Sequence, residues 1–473
     1  MLFNSYEFLF AFLPVVLIAF FAIARVSRSG ARVFLALASL FFYGWWDWRY
    51  VGLLMLSICV NFALGGAISR AEGSRREGWL VAGLAFNLGL LGFFKYTNFF
   101  LGTLAEVSGH DFGVAQIVLP LGISFFTFHK ISYKVDVFRG TAEVRKDPLD
   151  LLLYILFFPQ LIAGPIVRYH DIAGELLARR VSSADFAEGV RRFAVGFAKK
   201  MLVANTVAVV ADHMFSLGPE RLDAAGAWLG LVCYAIQIYF DFSGYSDMAI
   251  GLARMFGFHF LENFDHPYYS RSITEFWRRW HISLSRWFRD YLYVPLGGNR
   301  GPPWRTYLNL SVVFLLCGLW HGASWTFVLW GAFHGALLIV ERAGWGRVLA
   351  RLPVGLQHLQ TVLWVALGWV LFRAPTLPAA GTYFRALVGL GAPSDLVGLA
   401  STVTPAVALA LTAGVIGSTP FLRQLRERRA AGGLDLAGGG AGWLRDAAVL
   451  GLLFLSVLQV ASGTYNPFIY FRF

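Results

Sequence analysis

The sequence predicts an all-α polytopic membrane protein, and three observations carry that prediction. Apolar residues fill 57% of the 473 positions and charged ones only 14%. The mean hydropathy is +0.59. The apolar residues also come in long runs separated by short polar ones, the pattern of helices that cross a bilayer repeatedly. No stretch is both long and polar enough for a soluble domain, so residues 1–473 read as one membrane-embedded domain with its motifs concentrated at about 115–340.

Residues 1–7 lack a basic region and lead into an apolar run to Ala24 without a small-residue cleavage pattern, which predicts a first spanning helix and not a removed signal peptide. Runs of about 20 apolar residues place further spans. The series is 5–25, 31–46, 50–68, 79–98, 115–137, 193–216, 224–254, 306–320, 325–340, 360–374, 402–420 and 445–463, about a dozen in all. Arg25, Arg28 and Arg32, then Arg70, Arg75 and Arg76, then Arg139, Arg145 and Lys146 fall in alternate loops. Cytoplasmic loops are enriched in such residues, so the N-terminus is expected outside the cytoplasm. The same alternation puts Arg423, Arg426, Arg428 and Arg429 inside and residues 470–473 outside. A Gly/Ala-rich connector is expected at 432–442.

Residues 151–167 break the alternation, because basic loops lie on both sides of them. With Pro159, Gly164 and Pro165 inside, they read as re-entrant or interfacial, since irregular backbone at membrane depth is tolerated only under protein cover. Residues 306–340 hold no Asp, Glu, Lys or Arg. At 1.5 Å per residue they reach about 53 Å, whereas two crossings need about 60 Å. A turn at 322–325 is therefore expected below the membrane surface.

Residues 272–294 are too polar to span. At helical spacing Trp277, Trp280, His281, Leu284, Phe288 and Tyr291 share one face, and Arg278, Arg279, Arg286, Arg289 and Asp290 mostly the other. This predicts one basic, amphipathic, interfacial helix with His281 central on its aromatic face. The arginines suit lipid headgroups or the phosphates of an acyl donor, whose oxygens match guanidinium forks.

His321, in the apolar run Leu319-Trp320-His321-Gly322-Ala323-Ser324, is the leading candidate for chemistry, because a titratable group is costly to place in lipid and functional by default. Gly318 and Gly322 also permit close helix packing, which is compatible with that role. His334 reads as a polar contact between helices. Asp241 and Asp247 either orient a catalytic histidine or pair with nearby cations. Cys59, Cys233 and Cys317 form no metal or disulfide spacing, so no metal is expected. The net charge of +12 sits in short loops, which favours topology signals and anionic headgroups over nucleic acid. No GxSxG, Walker, HExxH or kinase signature is present.

Several of these stretches closely resemble one family. The run Asp241-Phe242-Ser243-Gly244-Tyr245-Ser246-Asp247, the block Asn263-Phe264-Asp265-His266-Pro267-Tyr268, the stretch Phe276-Trp277-Arg278-Arg279-Trp280-His281 and the run Gly318-Leu319-Trp320-His321-Gly322 are similar to those of the membrane-bound O-acyltransferases (MBOAT), in the AlgI-like branch that acetylates alginate. Leu2-Phe3-Asn4-Ser5, Pro159-Gln160-Leu161-Ile162-Ala163-Gly164-Pro165 and Asn466-Pro467-Phe468 extend the resemblance to nearly the whole chain. The resemblance implies a ring of helices with a central tunnel, in a bacterial inner membrane. It implies acetyl transfer from cytoplasmic acetyl-CoA, a substrate and not a bound cofactor, to a hydroxyl of an exported polysaccharide such as alginate, cellulose or peptidoglycan. That transfer is direct or runs through a periplasmic O-acetyltransferase partner in a polymer export complex. The family's two marker histidines map onto His281 and His321, with His321 the expected general base and His281 placing the thioester or stabilising the oxyanion. Arg278, Arg279, Arg289, Asp241, Trp320, Ser324 and Asn309 are the expected donor or substrate contacts. The rivals are D-alanyl transfer to teichoic acid, a transporter that breaks no bond, and a scaffold in which both histidines are dispensable.

Overall fold

A computed structural model describes residues 1–110, 112–113, 116–394, 396–431 and 440–463. The expected connector, most of which is residues 432–439, and the expected tail with its Asn466-Pro467-Phe468 motif lie outside the described residues. Among the described residues every regular element is a helix. Eight are long and apolar enough to cross a membrane, so the protein is all-α and polytopic. Four more of the expected spans are present as helices Arg28–Gly44, Ile123–Arg139, Pro303–His321 and Pro405–Gly417, each too short or too polar for that measure. The span expected at 115–137 begins only at Ile123, after Gly122 in a left-handed conformation.

The chain forms two compact units, Met1–Val190 with Met248–Leu261, and Arg191–Asp247 with Glu262–Phe473. In the first, Phe3, Phe8, Phe42 and Phe158 are buried together. Several buried polar groups of this unit are matched, although neither ring nitrogen of the buried His129 has a hydrogen-bond partner among the described residues. Asn61 and Asn87 bond each other, Lys130 Nζ donates to Ser57 Oγ at 2.7 Å, and Lys134 Nζ donates to Asn61. Burying unmatched polar groups would cost several kcal/mol, on the order of 2–7 each. The irregular stretch expected at 151–167 is a helix Pro148–Leu156, a single turn Phe158–Leu161 and a buried loop. Asp147 caps its start by accepting from Leu149 N, and Pro148 sits where its missing N–H costs nothing.

In the second unit, Pro303–His321 and Trp325–Val340 make the short hairpin. Its turn falls at Gly322–Ser324, where the length argument places it. A Cβ on Gly318 would stand 2.3 Å from the carbonyl oxygen of Phe327, and one on Gly331 would stand 2.2 Å from that of Phe314. The two helices touch backbone to backbone because neither glycine has a side chain. The pair expected to permit this was Gly318 with Gly322. Gly322 instead leaves room for the Phe327 ring, 2.2 Å from where its Cβ would stand.

The amphipathic helix expected over 272–294 is broken. Ser272 caps a helix Ile273–Arg279, Trp280 is extended, and a second helix runs Ile282–Phe288. The break is enforced from elsewhere in the chain. Asp265 N donates to Arg279 O at 3.0 Å, and Ile282 N donates to Asn263 O at 3.0 Å. Those bonds replace helical ones across the junction. Periodicity placed the faces correctly but is blind to this competition.

Candidate active site

His281 occupies the junction. Its backbone is left-handed, with φ 42° and ψ 56°. Only His266 shares a positive φ among the non-glycine residues described. For an L-residue this costs roughly 1–2 kcal/mol, sustained by the pairing of 263–265 with 279–282. The bend turns the ring inward, where it is 0% exposed.

The side chain of Asn263 fixes that ring. Its Oδ1 accepts from Ser283 N at 3.2 Å and from Ser283 Oγ at 2.9 Å, and it lies 3.1 Å from His281 Nδ1. A backbone N–H can only donate, so the atom facing it is the carbonyl oxygen and the amide has one orientation. The hydrogen between Asn263 and His281 therefore belongs to Nδ1. Nε2 carries the lone pair, and it is buried with no hydrogen-bond partner among the described residues. Burial pushes His281 down to about 3, so the ring is neutral.

His321 is the last residue of the helix Pro303–His321 and is 6% exposed. Its ring centroid lies 6.5 Å from that of His281. Trp320 lies beside the pair in contact with both, 6.2 Å from His281 and 4.9 Å from His321. Trp330 at 5.1 Å and Phe372 at 5.3 Å complete the wall around His321. The indole N–H groups of Trp277 and Trp330 are buried without a hydrogen-bond partner among the described residues.

Two clefts are lined by neighbours of this pair. One, of about 560 Å³, is lined by Arg278, Arg286 and Arg289 together with Trp277, Ile282 and Cys317. Ile282 follows His281, and Cys317 is one helical turn before His321. The other, of about 440 Å³, is lined by Tyr234, Ser324, Arg373 and Phe372, the last of these also touching His321. Neither lining includes His281 or His321, but each includes a chain neighbour of one of them: Ile282 in the cationic cleft and Gly322 in the more neutral one.

The remaining expected contacts divide. Arg278 and Arg289 line the first cleft, Arg289 with Asp290 bonded to it at 2.7 Å. Arg279 is not on that wall. It bonds Glu275 at 2.8 Å and the carbonyl of Asp265 at 3.2 Å, bracing the broken helix. Asp241 is buried against Lys200 Nζ at 2.5 Å, and Asp247 against Arg192 and Lys199, each at 2.6 Å. Asn309 donates to the carbonyls of Gly298 at 2.9 Å and Leu296 at 3.3 Å, which fastens a turn. Ser324 lines the second cleft and bonds Thr326 at 2.8 Å. His334 is 0% exposed and packed among Trp277, Trp330 and Phe333. Neither of its nitrogens has a hydrogen-bond partner among the described residues, so the expected polar contact is absent there. Sequence reasoning gave no role to Asn263, Trp330 or Phe372, which no spacing rule connects to the histidines.

Residues 111–370 match the family model described as MBOAT, membrane-bound O-acyltransferase family. Over its whole length the chain is 40% identical to a probable alginate O-acetylase AlgI of Pseudomonas putida, the match covering 100% of both. It is 38% identical to a peptidoglycan O-acetyltransferase of Helicobacter pylori, across 83% of this chain and 81% of that one. A teichoic acid D-alanyltransferase of Bacillus subtilis is 29% identical, across 47% of this chain and 59% of its own.

Proposed function

The chain belongs to the membrane-bound O-acyltransferase family, and from that premise we propose that it moves an acetyl group from cytoplasmic acetyl-CoA to a hydroxyl of an exported polysaccharide. The transfer is direct or passes through a periplasmic partner of a polymer export complex, in a bacterial inner membrane. Relatives named for acetylating alginate and peptidoglycan, matched over most or all of the chain, support an acetyl group and a polysaccharide. The D-alanyl rival rests on a shorter and less similar match.

The observation that carries the reading is the His281–His321 pair, 6.5 Å apart by ring centroids, with a cationic cleft walled by Ile282 and Cys317 and a more neutral one walled by Gly322 and Phe372. Arg278, Arg286 and Arg289 offer planar forks to the phosphates of acetyl-CoA, while the thioester passes Ile282 and Cys317 toward the histidines. The acceptor hydroxyl enters past Ser324 and Phe372. As its oxygen attacks the thioester carbonyl, His321 takes the hydroxyl proton. The tetrahedral intermediate collapses, the C–S bond breaks, and the proton passes to the departing thiolate, leaving an ester and free CoA.

The tautomer of His281 refines its role. An oxyanion donor needs a hydrogen at Nε2, and the Asn263 bond places it at Nδ1. His281 Nε2 can accept, so it orients the acceptor hydroxyl. A ring pushed down to about 3 is a weak base at neutral pH, which leaves proton removal to His321. The buried indole N–H of Trp330, on the wall of His321, is the donor assigned to the oxyanion.

The test is His321→Ala with membrane abundance matched to wild type. Acetyl content of the exported polymer should vanish, and unchanged content rejects the assignment. Purified protein given radiolabelled acetyl-CoA and acceptor should release CoA, which neither a transporter nor a scaffold would do. Turnover only with a D-alanyl-loaded carrier protein would favour the teichoic acid reading.

A further inference from the structure

A second cationic cleft lies in the first unit, and the acyl-transfer chemistry has no use for it. It encloses about 660 Å³ between the junction of the first two helices (Arg25 in the last turn of one, Arg28 and Arg32 in the start of the other) and the residues after the helix Tyr169–Ala178 (Arg179, Arg180), over a floor that includes Phe20. Only Arg32 among these five is neutralised, by Asp147 at 2.7 Å and Asp150 at 2.6 Å. The other four form no ion pair among the described residues. Arg179 lies over two aromatic rings, 5.8 Å from the centroid of Phe20 and 5.0 Å from that of Phe258. Burial and the nearby charge of Arg32 push it down to about 10, so this guanidinium is held where an added anion would relieve it.

Topology signals alone explain basic residues in loops. They do not require two segments some 150 positions apart in the chain to converge on one hollow. The first turn of the helix Arg28–Gly44 contributes Ser29 to the same wall, which brings the positive end of that helix to the cleft. The floor is apolar and continues into the first spanning helix, whose Val15, Ile18 and Val26 are 62%, 72% and 90% exposed and so face lipid. Cationic rim, apolar floor and a lipid-facing flank together describe an amphiphile with one anionic head.

We propose that this cleft is a binding site for an anionic phospholipid, its phosphodiester held by Arg25, Arg28 and Arg180 and its acyl chain lying along Phe20 and Phe21. Arg179 lies under the headgroup, on the aromatic floor. The site is independent of the transferase centre, which belongs to the other unit.

The full chain, purified and re-embedded in nanodiscs, tests this by native mass spectrometry and thermal unfolding. Phosphatidylglycerol should be retained in preference to phosphatidylcholine and should raise the unfolding temperature. The variant R25Q/R28Q/R180Q should lose that preference, roughly fivefold in affinity per arginine removed, while R75Q, in the first turn of the helix Gly73–Leu91, should keep it. Circular dichroism and unchanged melting in phosphatidylcholine verify that the triple variant is folded. Equal retention of the two lipids, or an unchanged preference in the triple variant, overturns the proposal. Inorganic phosphate protecting as well as phosphatidylglycerol overturns the lipid assignment and leaves a soluble phosphate ligand.

Discussion

Asn263 and His281 are joined through one hydrogen, with Oδ1 3.1 Å from Nδ1, and the backbone N–H of Ser283 on the same oxygen decides which atom owns it. That arrangement leaves Nε2 of His281 with a lone pair and no proton.

Asn263→Leu should therefore lower kcat on the order of 10²-fold while leaving KM for acetyl-CoA near wild type, since a freed ring samples the wrong tautomer. Asn263→Asp retains an acceptor for both donors and should recover most of the rate. Equal losses in the two variants, measured as CoA release at matched abundance, would refute the positioning role.

The neutral state of His281 has a stability signature. Its folded value of about 3 lies below the ordinary 6.5, so the unfolded chain binds the extra proton within that window. Stability is full above about pH 6.5 and falls as pH drops toward 3, by up to about 1.4 kcal/mol per pH unit. In detergent, His281→Asn should have a shallower decline of melting temperature with falling pH than wild type. Parallel curves would contradict the burial effect.

Lys200 and Asp241 form a buried pair at 2.5 Å. Removing one partner of such a pair costs about 3–5 kcal/mol, whereas removing both is often tolerated. Lys200→Met should melt far below wild type, and Lys200→Met/Asp241→Asn should regain much of the loss. If that double variant is stable and still active, Asp241 serves the fold; if it is stable and inactive, Asp241 has a part in the chemistry.

The hairpin glycines predict a steric contrast. Gly318→Ala and Gly331→Ala place a methyl 2.3 Å and 2.2 Å from carbonyl oxygens, and each should lose about 1–3 kcal/mol or more. Gly52→Ala, with nothing within 4 Å, should be neutral or mildly stabilising. Melting of the three variants in one detergent gives the comparison.

How much of this was legible in the sequence depends on the range of the interaction involved. Spans such as Ala224–Met255 follow from local hydropathy, and the hairpin turn after His321 from chain length against bilayer thickness. Both are one-dimensional quantities. The break at His281 is decided by hydrogen bonds from 263–265, and the same aromatic and basic faces would have suited an unbroken helix. Asn263 was visible as part of a motif but not in its role, because a buried amide looks like any other asparagine until its neighbours are known. The partner of Asp241 was likewise unreadable: several cations were close enough in the chain, and only packing selects Lys200.

The left-handed backbone at position 281 channels how this protein can drift over generations. Glycine would relax the main chain there and delete the imidazole, and most other amino acids would keep the strain without the nitrogen. Asparagine, which tolerates such a conformation and also presents a polar tip, is the substitution most compatible with both demands. A mutational library at this one codon should therefore yield a narrow set of survivors, whereas neighbouring Trp280, in extended backbone, is free of that particular filter.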